Sequence, residues 1–275
     1  MSLPNPDSFQ LLETTVFTEH DGRYSSDDEP PGLQGEGEGE RQRSGLGPWL
    51  LEDHLARMRR SSELLSASYG FPCFQVAMEQ REVEQAIRRE VARAGAEGGS
   101  EDGSTRYRIR MLLHSGGELA VQATLEPVAP TAGRAGPIKV VLDTEPSDTE
   151  SVFTACKTTH RDIYARAAER VAGELQCIGG GLVLLFNGRG EITETNIANI
   201  AVSTMAADGA LVLVTPALSS GLLAGTVRAR MLSEGRAVEG IVGVDQLRQA
   251  AKNGWPIVCM NSVRGEFAVE VVLRD

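Results

Sequence analysis

Residues 153–167 read Phe153-Thr-Ala-Cys-Lys-Thr-Thr-His-Arg-Asp-Ile-Tyr-Ala-Arg-Ala167 and contain Lys157. Apolar residues recur every four positions after this lysine, which predicts a helix over residues 158–175. Most lysines in proteins are solvated surface charges, so Lys157 alone assigns no function. Its interpretation depends on two stretches that lie further along the chain.

Both later stretches contain glycine turns next to polar side chains. The first, Gly188–Ile200, begins in a predicted hairpin turn and continues into a predicted strand that ends at Glu194. The second, Thr215–Arg228, ends in a glycine-flanked turn that leads into a helix predicted over 225–233. The backbone N–H groups at a helix N-terminus bind phosphate well, particularly together with hydroxyls and a cation. Glycine turns before helices are common, so a purely structural loop remains the alternative at this point.

The composition is that of an ordinary soluble globular protein, with 41% hydrophobic and 24% charged residues. A net charge of −11 and a pI near 5.0 argue against nucleic acid or an anionic membrane as the main partner. No apolar run is long enough to cross a bilayer, and the polar residues 1–8 are unlike a signal peptide. The 4 cysteines contain no CxxC pair, which predicts reduced thiols, no metal site and a cytoplasmic protein.

The order of the predicted elements divides the chain into two domains. Residues 1–126 form a small α+β domain, and the Pro-, Gly- and Ala-rich stretch 127–137 is the predicted linker. Within the first domain, residues 19–47 are acidic and poor in apolar side chains, which predicts a flexible surface insertion. Residues 138–275 form the second, larger domain, to which we assign Lys157.

Sequence periodicity supplies the individual elements. Helices are predicted over residues 50–68, 75–94, 158–175, 225–233 and 245–251. Strands are predicted over residues 9–17, 106–114, 118–126, 138–143, 182–187, 191–194, 197–202, 211–214, 257–260 and 266–272. The run 182–187 is continuously apolar, which predicts a strand buried on both faces.

Together these stretches resemble the fold-type IV pyridoxal-phosphate (PLP) enzymes of the class IV aminotransferase family, and among them the 4-amino-4-deoxychorismate lyases. Further resemblance lies in Phe9-x-Leu-Leu-Glu-Thr14, Leu50-Leu-Glu-Asp-His-Leu-Ala-Arg57, Tyr69-Gly-Phe-Pro72 and Asn261-Ser-Val-Arg-Gly265. It covers nearly the whole chain apart from the acidic insertion and residues 95–105. The resemblance implies a two-domain α+β fold of the D-amino acid aminotransferase type, with the active site in the interdomain cleft of a homodimer.

The resemblance also assigns the reactive end of the cofactor. Lys157 matches the lysine that forms the Schiff base with PLP and then serves as the general base. Glu194 matches the carboxylate that keeps the pyridine nitrogen protonated, so that the ring can accept electrons. Thr195 and Asn196 would shape the same wall through backbone contacts, and Leu223 would pack under the ring.

The phosphate end and the substrate contacts follow from the same resemblance. Arg57 matches the arginine of a His-x-x-Arg helix that pairs with the phosphate, and Ser262 matches a hydroxyl ligand. The backbone N–H groups of Thr226 and Val227 would hold phosphate oxygens. The predicted substrate contacts are Thr14 and Arg161, with Arg161 one helical turn beyond the reactive lysine; a surface ion pair is the alternative for that arginine.

Three activities share this scaffold, and the departures from each pattern favour the lyase. Branched-chain aminotransferases carry a second glutamate shortly after the ring-nitrogen glutamate, where this chain has Ile197 and Ala198. They also place a tyrosine after the lysine, near the position of Asp162. Val16 stands where many relatives have an arginine that could meet a substrate carboxylate, so the substrate stays open. The expected reaction yields 4-aminobenzoate and pyruvate; a transaminase of D-amino acids, (R)-amines or branched-chain amino acids, and a non-enzymatic scaffold, are the alternatives.

Overall fold

A computed structural model describes residues 3–20, 49–75, 79–96, 104–126 and 136–274. The chain forms two compact units. Unit 1 comprises Met1–Arg134 together with the short segment Cys156–His160, and unit 2 comprises Ala135–Ala155 and Arg161–Asp275. The segment that carries Lys157 therefore belongs by its contacts to unit 1, although the sequence assigned it to the larger domain.

Unit 1 is a three-stranded antiparallel sheet with two helices. Its elements are β1 (Leu11–His20), α1 (Leu51–Tyr69), α2 (Gln80–Ala96), β2 (Ser104–Leu113) and β3 (Leu119–Glu126). The strand order is β1-β2-β3, and an antiparallel bridge from Leu11 to Thr158 adds the lysine segment to the free edge of β1. The α1 helix begins after Leu50 and ends at Gly70, where a positive φ of 75° suits glycine.

Helix α1 buries an apolar stripe and a polar stripe. Leu51, Leu55, Met58 and Leu65 are buried, as the spacing predicted. The side chains of His54, Arg57 and Ser61 are buried as well. Buried polar groups need partners, so this second stripe points to a polar cluster inside unit 1.

Unit 2 is built on a mixed, curled eight-stranded sheet with the order β6-β5-β4-β11-β10-β7-β8-β9. Its strands are β4 (Ile138–Leu142), β5 (Leu182–Phe186), β6 (Ile192–Thr195), β7 (Asn199–Met205), β8 (Leu211–Pro216), β9 (Val238–Gly240), β10 (Ile257–Asn261) and β11 (Gly265–Val272). Its helices are α3 (Val152–Ala155), α4 (Asp162–Arg170), α5 (Ala172–Cys177), α6 (Thr226–Ser233) and α7 (Val244–Lys252).

Strand β5 shows why this sheet needs cover on both faces. Leu182 and Leu184 pack in one apolar cluster, which α7 covers, while Val183 and Leu185 pack in another. Helix α4 covers the second cluster through Ala167. The prediction of a strand buried on both faces is confirmed.

The long helix predicted over residues 158–175 is wrong in its first turn and in its continuity. Helix α4 begins only at Asp162, and α5 follows after a break at Val171. The residues before α4 are extended, because the carbonyl of Lys157 accepts a 2.9 Å bond from the N–H of Leu12. Pairing with β1 satisfies backbone groups that a helix would otherwise satisfy, so Arg161 is not one helical turn from the lysine.

Several predicted boundaries shift for local reasons. Strand β1 continues to His20, beyond the predicted end at residue 17, because its last residues pair with the start of β2. Helix α7 begins at Val244 with Gly243 as its N-cap, in place of the predicted cap Asp245. The rest of the predicted insertion, the turn near residue 100 and most of the linker lie outside the described residues. Among the residues described, no helix is long and apolar enough to cross a membrane.

Candidate active site

The lysine segment is fixed to unit 1 by backbone and side-chain bonds on both sides of Lys157. Beyond the lysine, the N–H of Thr159 donates to the carbonyl of Gln10 at 2.9 Å. Before it, the Cys156 thiol lies 3.7 Å from the carbonyl of Ser61 on α1. Burial raises the pKa of the Cys156 thiol to about 11, although the hydrogen bond to Ser61 opposes this rise. The thiol therefore stays protonated and packs as a small side chain.

A buried charged cluster joins β1 to α1. The Arg57 Nε donates to Glu13 Oε1 at 2.8 Å, and its Nη2 donates to the second carboxylate oxygen. His54 Nδ1 lies 2.7 Å from Glu13 Oε2. Burial by itself would raise the pKa of Glu13, but the charge and hydrogen bonds of Arg57, helped by His54, lower it from 4.5 to about 2. Glu13 is therefore ionised and balances the charge of Arg57.

This cluster also fixes the protonation of His54. Burial lowers the pKa of His54, and the positive charges of Arg57 and Lys157 lower it further against the opposing effect of Glu13. Because Nδ1 faces an ionised carboxylate, the proton of the neutral ring lies on Nδ1. The other nitrogen, Nε2, is buried and has no hydrogen-bond partner among the described residues. The sequence indicated a polar stripe on α1 but gave no role to Glu13, whose partners lie 41 and 44 residues away.

Unit 2 contains a second buried carboxylate, that of Glu194 on β6, which is 5% exposed. Its Oε1 accepts from the Tyr164 hydroxyl at 2.7 Å and from the N–H of Leu223 at 3.3 Å. Its Oε2 accepts from Asn199 Nδ2 at 3.1 Å. Hydrogen bonds from donors such as these stabilise the ionised form of a carboxylate.

Tyr164 was not singled out from the sequence. Burial, followed by the charge and hydrogen bond of Glu194, raises its pKa well above 10, so its hydroxyl keeps the proton that it donates. The guanidinium of Arg161 lies 4.4 Å from the centre of the Tyr164 ring and donates to the carbonyl of Asn196. A tyrosine in the first turn of α4, 30 residues from the glutamate, has no local sequence signal that would reveal this contact.

The glycine-flanked turn lies directly against the Glu194 group. Asn199 Nδ2 donates a second bond, to the carbonyl of Leu223 at 2.9 Å. A Cβ atom at position 225 would lie 1.8 Å from the Asn199 side-chain oxygen, so only glycine fits there. The turn and the carboxylate are thus held together by one asparagine.

Helix α6 starts at this turn, as predicted. Its N-cap is Gly225, which supplies no side-chain hydrogen bond to the first turn, and Thr226 and Val227 are buried. An uncapped helix N-terminus presents N–H groups and a partial positive charge, which suits an anion such as phosphate. Arg228 is directed elsewhere, since it donates to Thr215, Pro216 and Glu239.

The other predicted site residues lie in both units. Thr195 is the last residue of β6, and its hydroxyl donates to the carbonyl of Ala198 at 2.9 Å. The side-chain oxygen of Asn196 is buried and has no partner within the described part of the chain. Ser262 is buried in the turn directly after β10, and Thr14 is half-buried on β1.

Comparison with known proteins identifies the family to which the chain belongs. The family model for class IV amino-transferases matches residues 43–271. The chain belongs to the class IV aminotransferase family. A Schizosaccharomyces pombe protein, provisionally assigned as an aminodeoxychorismate lyase, is 31% identical over 217 residues, which cover 78% of this chain and 81% of that protein. The aminodeoxychorismate lyase of Saccharomyces cerevisiae is 33% identical over 135 residues, which cover 46% of this chain but only 35% of that enzyme.

A solved structure confirms the predicted fold. A protein from Mesorhizobium loti, provisionally assigned as an amino-acid aminotransferase, is 26% identical and superposes with a TM-score of 0.63, over 96% of this chain and 100% of that one. The family and the fold type inferred from the sequence are therefore correct.

The residues of unit 2 fit the PLP cofactor that the family implies. A buried carboxylate held by three hydrogen-bond donors is the group that a protonated pyridine nitrogen needs. The uncapped start of α6 matches a phosphate, and the unpartnered oxygen of Asn196 can accept from a further donor. In unit 1 the charge of Arg57 is already balanced by Glu13, so its predicted pairing with phosphate stays a prediction.

Proposed function

We propose that this protein is a PLP-dependent lyase that converts 4-amino-4-deoxychorismate into 4-aminobenzoate and pyruvate, a step towards folate. The observation that carries the proposal is the buried carboxylate of Glu194, which Tyr164, Asn199 and the N–H of Leu223 orient beside the turn that leads into α6. The choice of lyase chemistry is supported by the names of the two yeast relatives.

The chemistry divides between the cofactor and this chain. Bound PLP would supply the electron sink for the electron pair that remains when the substrate loses a proton. Glu194 would keep the proton on the pyridine nitrogen, because an ionised carboxylate stabilises a neighbouring cation. Tyr164 and Asn199 would hold the carboxylate in place, and the N–H groups of Thr226 and Val227 would hold the phosphate.

Lys157 would act at the reacting carbon. Its Nζ would hold the cofactor in the resting protein and, when free, would remove the proton at C4 of the substrate. The C3–O bond breaks, the enolpyruvyl group leaves and gains a proton to become pyruvate, and the ring becomes aromatic. Aromatisation drives the reaction, so the side chains need only position the substrate and remove one proton.

The assembly and compartment belong to the same proposal. We propose a homodimer, as the family resemblance of the sequence implies, and light scattering of the purified protein would measure this directly. We also propose a cytoplasmic location, supported by four cysteines that are all free, three of them buried.

A transaminase of D-amino acids or (R)-amines is the second candidate. The specific observation in its favour is the likeness to the Mesorhizobium loti protein, whose name assigns it as an amino-acid aminotransferase. Such an enzyme would use the same cofactor residues but would return the cofactor in its amine form. Incubation with D-alanine or an (R)-amine, followed by the absorbance of the cofactor, distinguishes the two: conversion to the amine form without any release of 4-aminobenzoate would favour the transaminase.

The direct test couples the protein to an aminodeoxychorismate synthase supplied with chorismate and ammonia, and assays 4-aminobenzoate. The wild type should form product, and it should show the visible absorbance of lysine-bound PLP. Lys157→Ala should lose both, whereas the exposed Lys252→Ala should keep both. Product formation by Lys157→Ala at the wild-type rate would refute the role of the lysine.

A further inference from the structure

The β-sheet of unit 1 shows which way the reactive lysine points. Leu11 pairs with Thr158 across an antiparallel bridge, so the next pair along is Leu12 with Lys157. Directly paired residues on neighbouring strands project to the same face, and successive residues alternate between faces. Cys156 contacts α1, as its bond to Ser61 shows, so Lys157 projects to the opposite face of the sheet, the face of Leu12.

The same face carries an arginine two residues further along. Thr14 on β1 lies directly opposite Arg110 on β2, which lies opposite Gln122 on β3. Thr14 is on the face of Leu12 because the two positions differ by two. Two strand spacings and two residue rises separate the Cα atoms of Arg110 and Lys157 by about 12 Å.

Arg110 differs from its two neighbours of like charge. Arg106 and Arg108 lie on the same strand and face, and both form ion pairs with Glu126 on β3. Arg110 is exposed and makes no hydrogen bond or ion pair with any of the described residues. The protein carries a net charge of −11, so an anionic substrate needs a local cation of this kind.

We propose that Arg110 binds a carboxylate of the substrate, namely the ring carboxylate that lies across the ring from the reacting C4 amine. This inference rests on the proposed lyase function, since it takes the substrate from there. Side chains on a strand stand roughly perpendicular to the sheet, so the two tips start about 12 Å apart. The side-chain ends of Lys157 and Arg110 need to move towards each other by only a few ångströms. They could then contact the amine and the carboxylate of one six-membered ring.

The kinetic test compares Arg110→Gln and Arg110→Lys with the control Arg108→Gln, which removes an exposed arginine on the same face of the same strand. Loss of a charged hydrogen bond should raise KM for aminodeoxychorismate about 10- to 100-fold in Arg110→Gln. The value of kcat should change little, because the contact is the same in ground and transition states. Arg110→Lys should recover part of the loss, and the visible absorbance of bound PLP should be unchanged in all three variants.

A binding test separates this inference from the proposed function. The dissociation constants of 4-aminobenzoate and of neutral 4-aminobenzamide are measured by calorimetry on the PLP-loaded protein. The wild type and Arg108→Gln should prefer the carboxylate at least tenfold, and Arg110→Gln should lose this preference. A preference that survives in Arg110→Gln, or is absent from the wild type, overturns the role of Arg110 whether or not lyase activity is found. If the wild type shows the preference and Arg110→Gln loses it, but no lyase activity is found, only the proposed function is refuted.

Discussion

Replacing Glu13 by Gln should destabilise unit 1 strongly. Glu13 is 1% exposed, and its carboxylate accepts hydrogen bonds from Arg57. The Nδ1 atom of His54 lies next to the same carboxylate. Removing one partner of a buried ion pair costs about 3–5 kcal/mol, because the other charge stays buried and uncompensated. The pKa of Glu13 supports a similar figure: the change from 4.5 to about 2 is a difference of about 2.5. At roughly 1.4 kcal/mol for each pKa unit, this corresponds to about 3 kcal/mol of stability.

The sign of the pH dependence follows from the direction of this change. Folding lowers the pKa of Glu13, so the unfolded chain binds the proton more readily than the folded chain. The stabilisation is therefore complete above about pH 4.5 and is lost as the pH falls towards 2. The amide of Gln does not titrate in this range, so Glu13→Gln should lack this part of the acid sensitivity.

Urea unfolding, followed by tryptophan fluorescence at pH 7 and at several lower values, measures both effects. The matched control is Glu90→Gln, which removes a carboxylate paired with the largely exposed Arg93 on α2 and should cost less than about 1 kcal/mol. The difference between wild type and Glu13→Gln should shrink as the pH falls. Equal destabilisation by the two variants at pH 7, or a difference that does not depend on pH, would refute the reasoning.

Three further predictions concern unit 2 and the cysteines. Tyr164→Phe removes one hydrogen bond from Glu194, so the dissociation constant of PLP should rise about tenfold or more, measured by absorbance titration. Gly225→Ala places a methyl group 1.8 Å from an amide oxygen and should cost about 1–3 kcal/mol in urea unfolding, with loss of bound PLP. A thiol reagent at pH 8 should label only Cys177 quickly in the native protein, because the other three cysteines are buried; mass spectrometry identifies the labelled residue.

Each of these has a control within the same chain. Tyr69→Phe removes a hydroxyl that bonds to the carbonyl of Pro4, far in sequence from the carboxylate group, and should leave PLP affinity unchanged. Gly173→Ala adds a methyl group to α5 where no atom lies within 4 Å, and should be neutral or slightly stabilising. Unchanged PLP affinity in Tyr164→Phe, full stability of Gly225→Ala, or rapid labelling of a buried thiol would each contradict the corresponding prediction.

Much of unit 2 could be predicted from the sequence, because its signals are local. The apolar run 182–187 reports burial on both faces, and the turn before Thr226 reports a helix start. Glu194 was identified through its neighbours in one short motif. These features depend on residues within a few positions of one another, and periodicity and turn chemistry record such relations directly.

The tertiary structure decided what depends on distant partners. The backbone of Lys157 is extended because it pairs with β1, which lies about 145 residues earlier in the chain and outweighs the helical spacing that follows the lysine. Glu13 and Tyr164 acquire their roles from side chains 30 or more residues away. Sequence periodicity reports which face of an element is buried, whereas the strand register and the packing of helices decide which polar group meets which. The sequence therefore identified the family and singled out Glu194 as a prediction, and the structure supplied the partners that hold its carboxylate.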